Sequence, residues 1–113
     1  MPGFPPIQVE VVRAGTGKLA GVGADVVMHY VAQAQGQTPY ASSRQAGSQP
    51  METTVGVGKM GIVPGWDAAM IHMREGDVWK LTIPPELGYG PNGGPKVPPN
   101  STIEVEVELL QVK

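Results

Sequence analysis

The sequence predicts an α+β protein, an antiparallel sheet of about five strands folded against one short helix, because an apolar sheet face must be covered. Three observations carry this. Several segments alternate apolar and polar residues with period two, most clearly Thr102 to Val112. Only one segment, Gly65 to Arg74, has apolar residues at helical spacing. Gly 16 and Pro 12 in 113 residues imply many turns and constrained loops.

In chain order, Ile7 to Arg13 places Ile7, Val9 and Val11 on one face and Gln8 and Glu10 on the other, a half-buried strand. Ala14 to Gly23 is a glycine-rich loop. Asp25 to Gln33 is a second strand, with Val26, Met28 and Tyr30 on one face and Val27, His29 and Val31 on the other. Gln33 to Pro50 is small and polar, a long loop or bulged edge segment. Glu52 to Val57 is a weak strand rich in β-branched residues. Trp66, Met70 and Met73 fall at i, i+4 and i+7 of the helix, and Gly76 stops it. Asp77 to Ile83 is a strand with Trp79, Leu81 and Ile83 inward. Pro84 to Asn100 holds six prolines and four glycines, hence a structured loop. In the last strand Ile103, Val105, Val107 and Leu109 alternate with Glu104, Glu106 and Glu108.

Length and composition narrow the function. The chain has room for one domain, read as 7–113, preceded by a flexible segment 1–6. Hydrophobic content of 41% with 16% charged residues fits a soluble globular protein. A net charge of −2 gives no electrostatic case for nucleic acid or an anionic membrane. No apolar run approaches a membrane span, and Met1 to Pro6 has neither the basic nor the apolar region of a secretory signal, so a cytoplasmic monomer is expected. Without cysteine there is no disulfide or thiolate metal site, and no cofactor or metal is expected.

Several motifs fail on context. Gly56-Val57-Gly58-Lys59-Met60-Gly61 spells a dinucleotide fingerprint, but Pro64-Gly65 follows too soon for it to open a helix. Met60 stands where a phosphate loop needs Ser or Thr. His29 and His72 have no carboxylate at metal spacing and read as surface or satisfied sheet residues. Asn100-Ser101-Thr102 fits a glycosylation acceptor without secretory context. Glu104, Glu106 and Glu108 share a solvated strand face, and no Ser/His/Asp arrangement stands out.

The six aromatic residues are more informative. Tyr30, Tyr40, Trp66 and Tyr89 lie in or beside stretches that look like one site; Phe4 and Trp79 are the other two. Trp66 follows Val63-Pro64-Gly65, and Tyr89 sits within Pro84-Pro85-Glu86-Leu87-Gly88-Tyr89-Gly90. Such backbone has few ways to move, so the rings are firmly held. A cluster of rings with little charge nearby points to an apolar pocket rather than a polar catalytic centre.

From about Val9 to Lys113 the chain resembles the FKBP-type peptidyl-prolyl isomerases, the immunophilins that bind tacrolimus and rapamycin. The resemblance rests on Val27-Met28-His29-Tyr30, Ser42-Ser43-Arg44, Ile62-Val63-Pro64-Gly65-Trp66-Asp67, Leu81-Thr82-Ile83 with the Pro84–Gly90 stretch, Val97-Pro98-Pro99-Asn100-Ser101-Thr102 and Val105-Glu106-Val107-Glu108-Leu109-Leu110, in matching order and spacing. It implies a curved antiparallel sheet wrapped around the helix. It makes Trp66 the floor of a proline pocket and Tyr30, Tyr89 and Val63 its walls, with Tyr30, Trp66 and Tyr89 as the catalytic set. Tyr40, Ala41, Ile62, Val63, Val97 and Val105 are the expected substrate contacts. The Val63 N–H and the Tyr89 hydroxyl correspond to the groups that bond ligand carbonyls.

Such a site suits the reaction. An X–Pro bond isomerises over tens to hundreds of seconds unaided, against a barrier of about 18–20 kcal/mol set by amide resonance. The planar amide is more dipolar than the twisted one, so an apolar pocket disfavours the ground state more, without acid or base. Lowering the barrier by ~4 kcal/mol gives roughly a thousandfold acceleration. The expected function is therefore peptidyl-prolyl isomerisation (EC 5.2.1.8) in protein folding, with proline-containing chains as partners. The alternative is a proline-peptide or partner-binding module with little turnover.

The chain departs from the family at the pocket rim. Ala41 stands where the family usually has Asp, and the Arg that pairs with it is missing near Ala46; loss of both leaves no stranded charge. Tyr40 replaces the usual Phe, Met51 or Thr53 stands for a pocket Phe, and Val105 replaces another. The loop from Tyr89 to Pro98 is slightly short, with no His or Ile at its tip. A wider, less aromatic pocket is expected, with weaker tacrolimus-type macrolide binding and slower turnover. Phe4-Pro5 forms an apolar–Pro pair that itself resembles a substrate.

Overall fold

The computed structural model describes residues 7–37, 39–43, 49–57, 63–94 and 97–113, with residues 39–41 described by their backbone alone. Phe4-Pro5, Ile62, Ala46 and residues 58–61 of the glycine-rich motif lie outside the described residues. The strands are β1 (Gln8–Arg13), β2 (Asp25–Ala34), β3 (Pro39–Ser42), β4 (Met51–Thr54), β5 (Val78–Ile83) and β6 (Ile103–Val112); the helix α1 is Pro64–Met70. The α+β class and the antiparallel sheet are as expected. The sheet runs β1-β5-β6-β2, and all its pairings are antiparallel. Its fifth position is split. β4 pairs Asp25 to Met28 of β2, while β3 pairs Val31 to Gln33 of the same edge. Of the two readings of the stretch after Gln33, a long loop or a bulged edge segment, β3 fits the second: the register passes over Tyr40, a bulge.

The alternation in β2, β5 and β6 decides which face is buried. Val26, Met28, Leu81, Ile83, Ile103, Val105, Val107 and Leu109 are fully buried and form one core with Trp66, Ala69, Met70 and Met73. Leu110 falls on the outer face by alternation, and a bulge that skips it between the pairs Val27–Gln111 and Met28–Leu109 shifts the phase and brings Val112 back to the core. The glutamates of β6 lie on the other face, where Glu108 pairs with Arg13 at 2.9 Å and Glu104 accepts from Gln33 at 3.1 Å.

Two expectations are corrected. Val11 is 54% exposed, not inward, because β1 is an edge strand whose register slips at Val12 and whose core contacts end at Val9. The helix ends at Met70 rather than Arg74. His72 and Met73 donate to carbonyls three residues back, and the Arg74 N–H goes to the Asp77 carboxylate at 2.7 Å instead of the helix. Asp77, itself buried, also accepts the Gly15 N–H at 2.6 Å, so one carboxylate both closes the turn after the helix and docks the first loop.

Glu75 makes a similar tie, accepting the main-chain N–H of Val112 at 2.7 Å and of Lys18 at 3.4 Å. The Val112 bond first, then the Lys18 bond and the Lys18 charge, hold its carboxyl below the ordinary value of 4.5. A lowered folded-state pKa contributes stability that is fully present above that ordinary value and is lost as pH falls through the lowered one. Glu75→Gln is therefore expected to lower stability at neutral pH and to flatten the acid limb below it. Urea unfolding at pH 7 and about pH 3 checks this, with a smaller gap between the two proteins at the acid end.

Candidate active site

Tyr30 comes from the inward face of β2, and Trp66 from the first turn of α1. Pro64 occupies the first helical position, where its fixed φ and missing N–H are tolerated, and Val63 before it is extended (φ −66, ψ 152). Gly65 allows close approach to the sheet, since a Cβ there would lie 2.8 Å from Ile83 Cγ2. Trp66 is consequently 4% exposed, and its ring centroid lies 5.3 Å from that of Tyr30 with the planes tilted by 52°. This is a favourable aromatic geometry. Among the described residues the buried indole Nε1 has no hydrogen-bond partner.

Tyr89 stands between two 3-10 turns, Pro85–Leu87 and Gly90–Asn92. The loop holds itself: Gly94 and Val97 exchange main-chain bonds at 2.9 and 3.2 Å, and the Asn100 N–H reaches the Gly90 carbonyl at 3.1 Å. Asn100 adopts φ 58, a left-handed conformation that Asn tolerates. Gly94 lies flat against Tyr89, because a Cβ there would sit 3.1 Å from the ring. Any side chain at that position would push on the ring.

Of the residues singled out from sequence, Val63, Trp66 and Val105 are buried members of the core, and Tyr30 and Tyr89 pack against it half-buried. Val97 is buried too, but within its loop rather than in that cluster. The backbone of Tyr40 and Ala41 lies in β3, with Ala41 opposite Ala32. Met51 and Thr53 both lie on the inward side of β4, opposite Met28 and Val26, so Met51 is the nearer to Tyr30 along the edge. Among the described residues no group of three or more His, Asp or Glu could hold a metal ion.

Two polar residues that shape this region were not singled out as functional. Asp67 is buried and accepts the Gly56 N–H at 2.9 Å, fastening the segment after β4 to the start of α1. Its signal was position, an acid in the first helical turn next to Trp66. Ser43, in a serine pair noted only as a landmark, accepts the Tyr30 N–H at 2.7 Å. His29 is a satisfied sheet residue, as expected, with Nδ1 3.0 Å from the same hydroxyl.

Residues 17–110 match the FKBP-type peptidyl-prolyl cis-trans isomerase family. Three single-domain relatives share about two residues in five over nearly their whole length. The FK506-binding protein 1 of Dictyostelium discoideum is 36% identical over 108 residues, covering 95% of this chain and 98% of that one. The FK506-binding protein of Neisseria meningitidis serogroup B is 41% identical over 105 residues, covering 92% and 94%. A peptidyl-prolyl cis-trans isomerase of Schizosaccharomyces pombe is 38% identical over 108 residues, 94% of each. With its split antiparallel sheet and short covering helix, the chain belongs to the FKBP-type peptidyl-prolyl cis-trans isomerase family.

Asp67→Ala strands the Gly56 N–H and is expected to cost about 1–3 kcal/mol. The midpoint of urea unfolding measures it; an unchanged midpoint would mean that the bond does not fasten this segment.

Proposed function

We propose that this protein catalyses rotation about X–Pro bonds in flexible or unfolded chains and so assists folding. Trp66 forms the floor of the proline site, Tyr30 and Tyr89 its walls. Tyr40, Ala41, Ile62, Val63, Val97 and Val105 contact the substrate around them. The observation that carries this reading is the Tyr30–Trp66 contact at the junction of helix and sheet, in a chain that matches the family over residues 17–110. Two rings from separate elements make an apolar surface on which a pyrrolidine ring fits. The reacting amide needs no proton transfer, only surroundings that solvate its planar form less well than water does.

The same residues support slow turnover and weak macrolide affinity relative to an aromatic-lined pocket. Val105 supplies an aliphatic side chain, and Met51 faces inward from β4. Each ring replaced removes ~0.5–1.5 kcal/mol of contact, so tacrolimus is expected to bind about tenfold or more weakly than to a fully aromatic site. A second reading, a proline-binding module with little turnover, draws on the same substitutions. Residues 7–113 act as one unit, and the protein works as a cytoplasmic monomer; among the described residues no helix is long and apolar enough to cross a membrane.

A protease-coupled assay with a Leu-Pro tetrapeptide separates the two readings. The isomerase accelerates the slow phase in proportion to protein concentration, and an unchanged slow phase overturns it. Trp66→Leu is expected to remove tetrapeptide and tacrolimus binding. Tyr89→Phe, which keeps the ring, is expected to lower kcat/KM by about fivefold through the lost hydroxyl.

A further inference from the structure

The strand edge next to Tyr30 contains a break. β4 stops pairing with β2 at Met28, and β3 resumes at Val31. His29 and Tyr30 therefore lie in a gap where no strand residue completes the ladder. Ser43, just past the end of β3, fills it in an unusual way. Its main-chain N–H donates to the Tyr30 carbonyl at 2.9 Å, as a strand neighbour would. The return bond from the Tyr30 N–H goes to the Ser43 hydroxyl, at 2.7 Å. That hydroxyl also lies 3.0 Å from His29 Nδ1 and 3.4 Å from the Tyr30 carbonyl oxygen. Ser43 is 4% exposed, so water has little access to replace any of these contacts.

We propose that Ser43, held by His29, is the positioning residue for Tyr30, fixing the tilt of its ring on Trp66 and hence the shape of the proline site. The inference rests on the isomerase reading for its effect on turnover, though not for its effect on the ring pair. A hydroxyl has one proton and two lone pairs. One lone pair takes the Tyr30 N–H. The hydroxyl proton goes to His29 Nδ1 when that nitrogen is unprotonated; when it carries a proton, Nδ1–H donates to the second lone pair and the hydroxyl turns to the Tyr30 carbonyl. In both arrangements the imidazole stops the hydroxyl from rotating away from the Tyr30 N–H. Tyr30 and His29 point to opposite faces of β2, so a side chain outside the core sets the backbone from which a core-facing ring projects.

The test uses a Trp79→Phe background, in which Trp66 is the sole tryptophan, under conditions where every variant is folded by circular dichroism. Ser43→Ala and the similarly sized Ser43→Cys, whose thiol is a weak acceptor, are expected to shift Trp66 emission and to lower kcat/KM for a Leu-Pro tetrapeptide about tenfold per folded molecule. A purely structural role would lower the urea midpoint and leave both readouts unchanged, and that result overturns the proposal. Rescue by Ser43→Cys would also overturn it, by assigning the effect to volume. If the Ser43 variants do not fold, His29→Phe decides. It is expected to shift the emission and lower kcat/KM about threefold, with recovery in His29→Asn, whose amide can reach the Nδ1 position; no shift overturns the proposal. If the parent protein shows no acceleration, the isomerase reading fails, and the emission shift alone decides the role of Ser43.

Discussion

The structure depends on how one very short helix is held against the sheet. Seven residues are far below the length at which a helix is stable in water, so α1 exists because its buried face is covered by β2, β5 and β6. Gly65 brings its first turn against Ile83, and Asp67 ties that turn to Gly56. At its far end Asp77 takes the Arg74 N–H and ends the helix after two turns. Trp66 is the largest side chain on the covered face, and its position follows from all these ties. Moving the helix would move the indole.

This anchoring separates rigidity from polarity. Buried carboxylates do most of the fastening, yet those of Asp67 and Asp77 are directed at main-chain N–H groups of Gly56, Gly15 and Arg74. The Tyr30–Trp66 pair is left in apolar company, with Val63 and Val105 in the same core. The proposed proline site would gain from this division, because a stray carboxylate beside the amide would stabilise its dipolar ground state.

Much of the fold was legible because burial on one face leaves a period-two signature. β2, β5 and β6 have both edges or most of their length paired, and their inward residues could be read directly. The misreadings lie where pairing stops governing the pattern. Val11 alternates correctly but belongs to an edge strand with little core beneath it. Met73 keeps the helical spacing of Trp66 and Met70 and is buried as that spacing implies, yet it lies in a turn, because a side chain four residues on took the N–H of Arg74. β3 has no alternation to read, being four residues with a bulge at Tyr40.

The same reasoning explains why rings were easier to find than the groups that hold them. Trp66 and Tyr89 announce themselves through Gly and Pro neighbours, since close approach and fixed φ leave few residue choices. Ser43 leaves no such mark. Its contribution depends on a gap between two strands that share one edge of β2, and that gap exists only once β3 and β4 are both paired. Its hydroxyl takes the N–H that a continuous strand would have accepted with a carbonyl. An interrupted edge thus turns a small polar side chain into a determinant of where a core-facing ring sits. Split or bulged positions beside apolar sites are therefore the places where short hydroxyl side chains carry more weight than composition suggests.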